Sequence, residues 1–250
     1  MNILLLKVTL VPSVIALVTL AIRKWGNKIG GLIGSMPWVA GPILLFFILE
    51  QGKAFGIHAI QGVMTGILAL ISFCFSYSAF CRKLTWLPTL LLSYGSYTCT
   101  ALIFNHLQLD LYLSYPLVIC YILLALRFFP STNGQAAKTR RLPFDIPIRM
   151  VVSTLFVLVI TGLASVLGPT WSGILTPFPI LTSILAIFSH TLQGSNGTII
   201  TLRGMVIGLL GFTTFLFLQS FLLSEFSVAL SFGLAFIVNT LINLIANRLW

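Results

Sequence analysis

Apolar residues run along this chain in long blocks, and polar residues gather in short breaks between them. The blocks are each close to the ~20 residues that carry a helix across a bilayer, and they tile almost the whole sequence. They predict spans at about 3–22, 29–50, 55–80, 84–105, 111–129, 145–167, 171–191, 198–222 and 226–247. The expected fold is an all-α integral membrane protein with nine transmembrane helices.

The second block is unusual. GGLIGSMPWVAGPILLFFILEQG, Gly30 to Gly52, is apolar enough for a bilayer yet holds Gly30, Gly31, Gly34 and Gly41 as well as Pro37 and Pro42. Proline removes a backbone donor and clashes with the preceding turn, so this span is expected to be broken. A related stretch, SGILTPFPILTSILAIFSHTLQG, covers Ser172 to Gly194. Both reach a proline six residues after a glycine (Gly31 and Pro37, Gly173 and Pro179), and both end in Gln-Gly.

These stretches belong to a longer repeat with a constant offset of 142 residues and no gaps. Phe46, Gln51, Gly52, Gly62, Gly66, Phe73, Phe75, Ser78 and Asn105 recur as Phe188, Gln193, Gly194, Gly204, Gly208, Phe215, Phe217, Ser220 and Asn247. Chance matches in apolar sequence fall on Leu and Ile, not on Gly, Gln and Asn in one frame. The organisation expected is repeat one at 1–107 (spans 1–4), a connecting span 5 at 108–129, a basic cytoplasmic loop at 130–144, and repeat two at 145–250 (spans 6–9). Five spans separate the two starting points. An odd number makes the repeats inverted in the membrane, an architecture common among secondary transporters.

Composition fits this picture. The chain is 58% hydrophobic and 7% charged, with a mean hydropathy of +1.07. A soluble domain carries roughly 25% charged residues. Charge also supplies an orientation. Arg23, Lys24, Lys28, Arg82, Lys83, Arg127, Lys138, Arg140, Arg141 and Arg248 fall on one side of the nine spans, and Arg149 and Arg203 lie just inside spans near it. Lys7 and Lys53 fall on the other, with Glu50, Asp110 and Glu225. The excess of basic residues makes the first side cytoplasmic, the N-terminus external and the C-terminus cytoplasmic. The net charge of +10 is thus a matter of topology rather than nucleic-acid binding. The first apolar block is followed, not preceded, by its basic residues, so it is expected to be a retained span rather than a cleaved signal. Cys74, Cys81, Cys99 and Cys120 have no metal-ligand spacing and are expected as free thiols.

Paired Gly/Pro interruptions in corresponding spans point to a transporter binding site. The substrate-binding candidates are Ser35, Pro37, Trp38, Gly41, Thr176, Pro179, Thr182 and Ser183, with Asn239 and Asn243 from a polar ridge on span 9. The alternative reading of the glycines and prolines is kinked helices packed through small residues. The asparagine ridge could equally glue helices together. Gly52 and Gly194 suit a left-handed helix stop. Lys7, Arg149 and Arg203 are the anion-attracting candidates, unless they snorkel to the headgroups. Glu50 is the candidate coupling carboxylate; its counterpart at the repeat offset is Leu192.

No paired acidic motif, no H-E-x-x-H and no Walker A sequence occurs, so neither an enzyme nor a cofactor is expected. The expected function is a secondary, ion-coupled transporter using alternating access on a small organic anion or zwitterion. One alternative is translocation of an anionic lipid or isoprenoid phosphate; another is a non-catalytic membrane subunit of a larger complex. The partners implied are membrane lipids and a small-molecule substrate, with no nucleic acid, and a homodimer is compatible. The expected localisation is a bacterial inner (plasma) membrane.

Overall fold

The computed structural model describes residues 3–34, 37–132 and 145–249. Ser35 and the basic cluster of Lys138, Arg140 and Arg141 lie outside the described residues. The described residues are all-helical, with no strand among them. In chain order the helices are α1 (Ile3–Gly34), α2 (Ala40–Gln51), α3 (Lys53–Phe80), α4 (Trp86–Leu107), α5 (Leu111–Phe128), α6 (Asp145–Gly162), α7 (Ala164–Leu175), α8 (Ile180–Glu225) and α9 (Val228–Leu249).

Five stretches among the described residues are long and apolar enough to cross a membrane: Lys53–Phe80, Trp86–Leu107, Leu111–Phe128, Ala164–Glu225 and Val228–Ala246. The described part of α1, with α2 and α6, gives shorter apolar helices. Several expected boundaries differ. The first two expected spans are not separated near residue 25, because α1 runs unbroken to Gly34. The expected loop between 191 and 198 is absent: α8 passes through it with a single non-helical residue, Gly194 (φ 74, ψ −177).

Gly52 does the same work between α2 and α3, with φ 91 and ψ 164. Positive φ was expected from Gln-Gly, but the left-handed cap was not the result. Both glycines occupy a region of positive φ and extended ψ that is essentially closed to residues with a Cβ. The physical reason is economy of chain: Gly52 donates to Ile48 O (3.1 Å) to end α2 and accepts from Gly56 N–H (3.3 Å) to start α3. One residue is both the stop and the start.

The centre of the bundle is α3, the most deeply buried helix, packed against α4, α5, α7 and α8. Its contact with α7 brings backbone against backbone. A Cβ at Gly173 would collide with the Ala59 carbonyl of α3, and Cβ atoms at Gly62 and Gly66 would collide with the Thr170 and Ile174 carbonyls of α7. Small residues here permit close helix approach, as in membrane helix pairs generally. The outer faces of α4, α5 and α9 are apolar and exposed, with Leu91, Leu102, Ile103, Leu113, Leu124, Ile237 and Ile245 among them.

The two ends of α3 gather different segments. At its start, Lys53 Nζ donates to Phe226 O (3.0 Å) and Gln61 to Leu109 O (2.6 Å). At its finish, Arg82 donates to Ser131 O and to Asn196 Oδ1 (3.4 Å), and Cys81 Sγ faces Ser195 O (3.9 Å). The four cysteines are free, as two buried thiols (Cys74, Cys81) and two exposed ones (Cys99, Cys120). Just past α3, burial pushes the Cys81 thiol up to about 11, against the pull of neighbouring Arg82.

Candidate functional site

The helix breaks expected from proline are present, and they face one another. The first includes residues 37–39, just before α2. The second lies at 176–179, between α7 and α8. A cavity of about 190 Å³ is walled by both: Pro37, Trp38, Val39 and Ala40 from the first, and Thr176, Pro177, Phe178, Ile180, Leu181 and Thr182 from the second. Arg149 and Ser153 of α6 and Cys74 of α3 complete its polar lining. Ile15, Leu70, Phe156, Met205, Leu209 and Phe212 make most of the rest apolar.

The backbone of the second break is tied down locally. Thr176 N–H donates to Ser172 O (3.1 Å) and Gly173 O (3.0 Å), and Phe178 N–H to Leu175 O (3.0 Å). Ile180 N–H reaches Phe178 O at 2.7 Å across Pro179 (φ −76, ψ 44), an inverse γ-turn. The Thr176 hydroxyl donates to Ser172 O (2.8 Å), and the Ser183 hydroxyl donates to Pro179 O. Proline breaks the helix, but short turns recapture most of the donors.

What stays open is the start of the next helix. The first turn of any α-helix has N–H groups without an intrahelical acceptor. At α8 the Ile180 N–H is already taken by Phe178 O, which leaves Leu181 and Thr182, both on the cavity wall. At α2 it begins with Ala40, also on the wall. Neither N-cap, Pro179 or Val39, supplies a side-chain cap. Two positive helix ends thus converge on the cavity that Arg149 lines.

Aromatic rings brace the second break. Phe178 stacks on Tyr94 (5.5 Å, 8°), meets Tyr97 edge-on (5.1 Å, 80°) and leans on Phe156 (6.4 Å). Tyr97 OH donates to Ile174 O (2.8 Å), and Tyr94 OH pairs with Ser183 Oγ (2.8 Å). Trp38 meets Phe236 edge-on at 5.8 Å. Tyr94 and Tyr97 were not singled out as site residues. Their signal was faint: Tyr97 occupies the repeat position of Asn239, but nothing in α4 alone says which break it serves.

The remaining candidates lie elsewhere. Gly41 closes the first turn of α2, donating to Pro37 O (2.8 Å). Asn239 and Asn243 are fully buried and joined by Asn243 Nδ2 to Asn239 Oδ1 (3.1 Å). They press on Gly211 of α8, where a Cβ would stand 2.6 Å from each, and they do not line the cavity. Arg203 is also absent from its wall. Lys7 is buried, 5% exposed, and donates to both oxygens of Glu50 (2.6 and 2.7 Å), with Phe46 beneath its ammonium at 5.5 Å. It neither snorkels nor faces the cavity; it joins α1 to α2. Among the described residues no group of three or more His, Cys, Asp or Glu is placed to hold a metal. Comparison with protein-family models, with curated proteins and with solved structures gives no match to this chain.

Proposed function

We propose that the chain is a secondary, ion-coupled transporter that moves a small organic anion or zwitterion by alternating access. The observation that carries this reading is the cavity itself. Two interrupted helices meet there, each presenting an uncapped N-terminus, and Arg149 stands in the wall. Helix N-termini bind carboxylate and phosphate through first-turn N–H groups and the aligned peptide dipoles. Irregular backbone at membrane depth is tolerated where it is buried in protein or lines a cavity. The apolar remainder of the wall suits a compact ligand with one anionic head.

In this proposal the protein crosses a bacterial inner membrane nine times as two inverted four-helix repeats around α5, with the N-terminus outside. Three features support the inversion. Helices begin at Trp86 and Val228, 142 residues apart. Gly52 and Gly194, also 142 apart, share one rare backbone conformation. They sit at opposite ends of α3, since Gly52 precedes its first residue and Gly194 adjoins the segment held by Cys81 and Arg82. Coupling falls to Glu50, whose carboxylate holds Lys7 and so ties α2 to α1.

The test is uptake into proteoliposomes, with a panel of small carboxylates and amino acids under an imposed proton or sodium gradient. Pro37→Ala combined with Pro179→Ala should insert normally and lose gradient-driven uptake. Native uptake rates in that variant would remove the cavity from the mechanism.

A further inference from the structure

A second cavity, about 310 Å³, lies between α3, α4 and α5, away from the two helix breaks. Its lining includes five hydroxyls, those of Ser72, Ser76, Ser96, Thr100 and Tyr121, with Leu124 and Phe128 at its rim. The rim residues are strongly exposed, Leu124 by 56% and Phe128 by 66%, on the apolar outer face of α5. In a bilayer this mouth opens to lipid.

The protons inside can be counted. Ser72 Oγ donates to Leu68 O at 3.1 Å, so its one hydrogen is used. Thr100 Oγ1 donates to Ser72 Oγ at 2.9 Å. Tyr121 OH lies 2.8 Å from the same oxygen, and with the Ser72 proton committed the phenol must be the donor. Ser72 Oγ then has both lone pairs filled. Ser96 Oγ donates to the Ser72 backbone carbonyl at 3.4 Å. Thr100, Tyr121 and Ser96 have thus turned their hydrogens onto Ser72, and what they have left is acceptor oxygen. Ser76 is the one lining hydroxyl that keeps its proton for a ligand. Buried hydroxyl groups ordinarily find partners, and lone pairs facing an apolar mouth call for a donor.

We propose that this cavity is a lipid-accessible site for an uncharged amphiphile whose head donates hydrogen bonds, a glycerol or similar alcohol, with its chain leaving past Leu124 and Phe128. The lining holds no charged group, which suits a neutral head and not a phosphate. Ser72 is the switch of the site, because it decides which way the surrounding hydroxyls point.

The experiment uses the intact protein in nanodiscs and two photoreactive probes, a monoacylglycerol with a diazirine in its chain and the same lipid with both head hydroxyls methylated. Labelled residues are mapped by mass spectrometry. The glycerol probe should label α3–α5 around the cavity about tenfold more than its dimethyl ether, because the ether has no proton to give the half-buried acceptors. Ser72→Ala frees the Thr100 and Tyr121 protons and should bring the two probes to within about twofold, or reverse their order. Leu124→Trp, at the mouth, should abolish labelling by both and leaves every hydroxyl in place. Equal labelling of the native protein by both probes would overturn the proposal. So would labelling no higher than on the outer face of α9, the result expected of a cavity that holds only water. An undiminished preference in Ser72→Ala would remove the switch.

Discussion

Lys7 and Arg149 stand 142 residues apart, each near the start of the helix that opens its half of the chain. Lys7 is closed off, with a bidentate carboxylate on one side and the Phe46 ring on the other. Arg149 is half-buried and forms part of the cavity wall. The carboxylate that closes Lys7 off, Glu50, has Leu192 at its repeat position in the second half. The lesson is that a cation within a membrane helix has no fixed role: a carboxylate 43 residues along the chain turns Lys7 into a clamp, while Arg149 helps to wall a cavity.

Five substitutions test this contrast. Glu50→Leu gives the first half the second half's residue and leaves Lys7 buried beside no counter-charge. The ammonium is buried and the carboxylate exposed, so losing the pair should cost about 1–3 kcal/mol, read as a fall in the detergent melting temperature. Lys7→Met added to it should recover most of the loss. Next comes the brace on the second break: Phe178→Ala should cost ~2 kcal/mol, below the range for a fully buried ring, and should weaken uptake further than stability alone explains. Equal melting and uptake in that variant would remove the brace. Arg149→Gln should raise the apparent KM for an anion about tenfold, while the melting temperature moves little. A KM unchanged from native would return Arg149 to a purely structural part. The smallest effect is expected from Leu192→Glu, which places a carboxylate at the repeat position of Glu50 and should slow anion uptake about threefold by competing with the substrate.

The backbone-breaking residues were legible from sequence because their signal is intrinsic. Pro37 and Pro179 remove donors wherever they stand, and Gly52 and Gly194 recur in one frame. Side-chain partnerships were much less so. Nothing in the spacing of Lys7 and Glu50 announces a pair, since two helices must first be laid side by side. Asn239 and Asn243 look like a ligand ridge by their four-residue spacing; it takes the closeness of Gly211 to show that the ridge is pressed into α8. Local turns around Pro179 were likewise invisible. A proline signals where a helix stops and is silent on how the chain resumes.

The shortness of α2 has a consequence for biogenesis. Its 12 residues are about 18 Å long, well short of the ~30 Å hydrocarbon layer. Such a segment has no stable resting place in lipid by itself. Its open end at Ala40 is covered only when the chain near Ile180 has been synthesised and has come to lie across from it. The first half of this protein should therefore leave the ribosome unfinished, and a chain truncated before α7 should be recognised and degraded rather than accumulate.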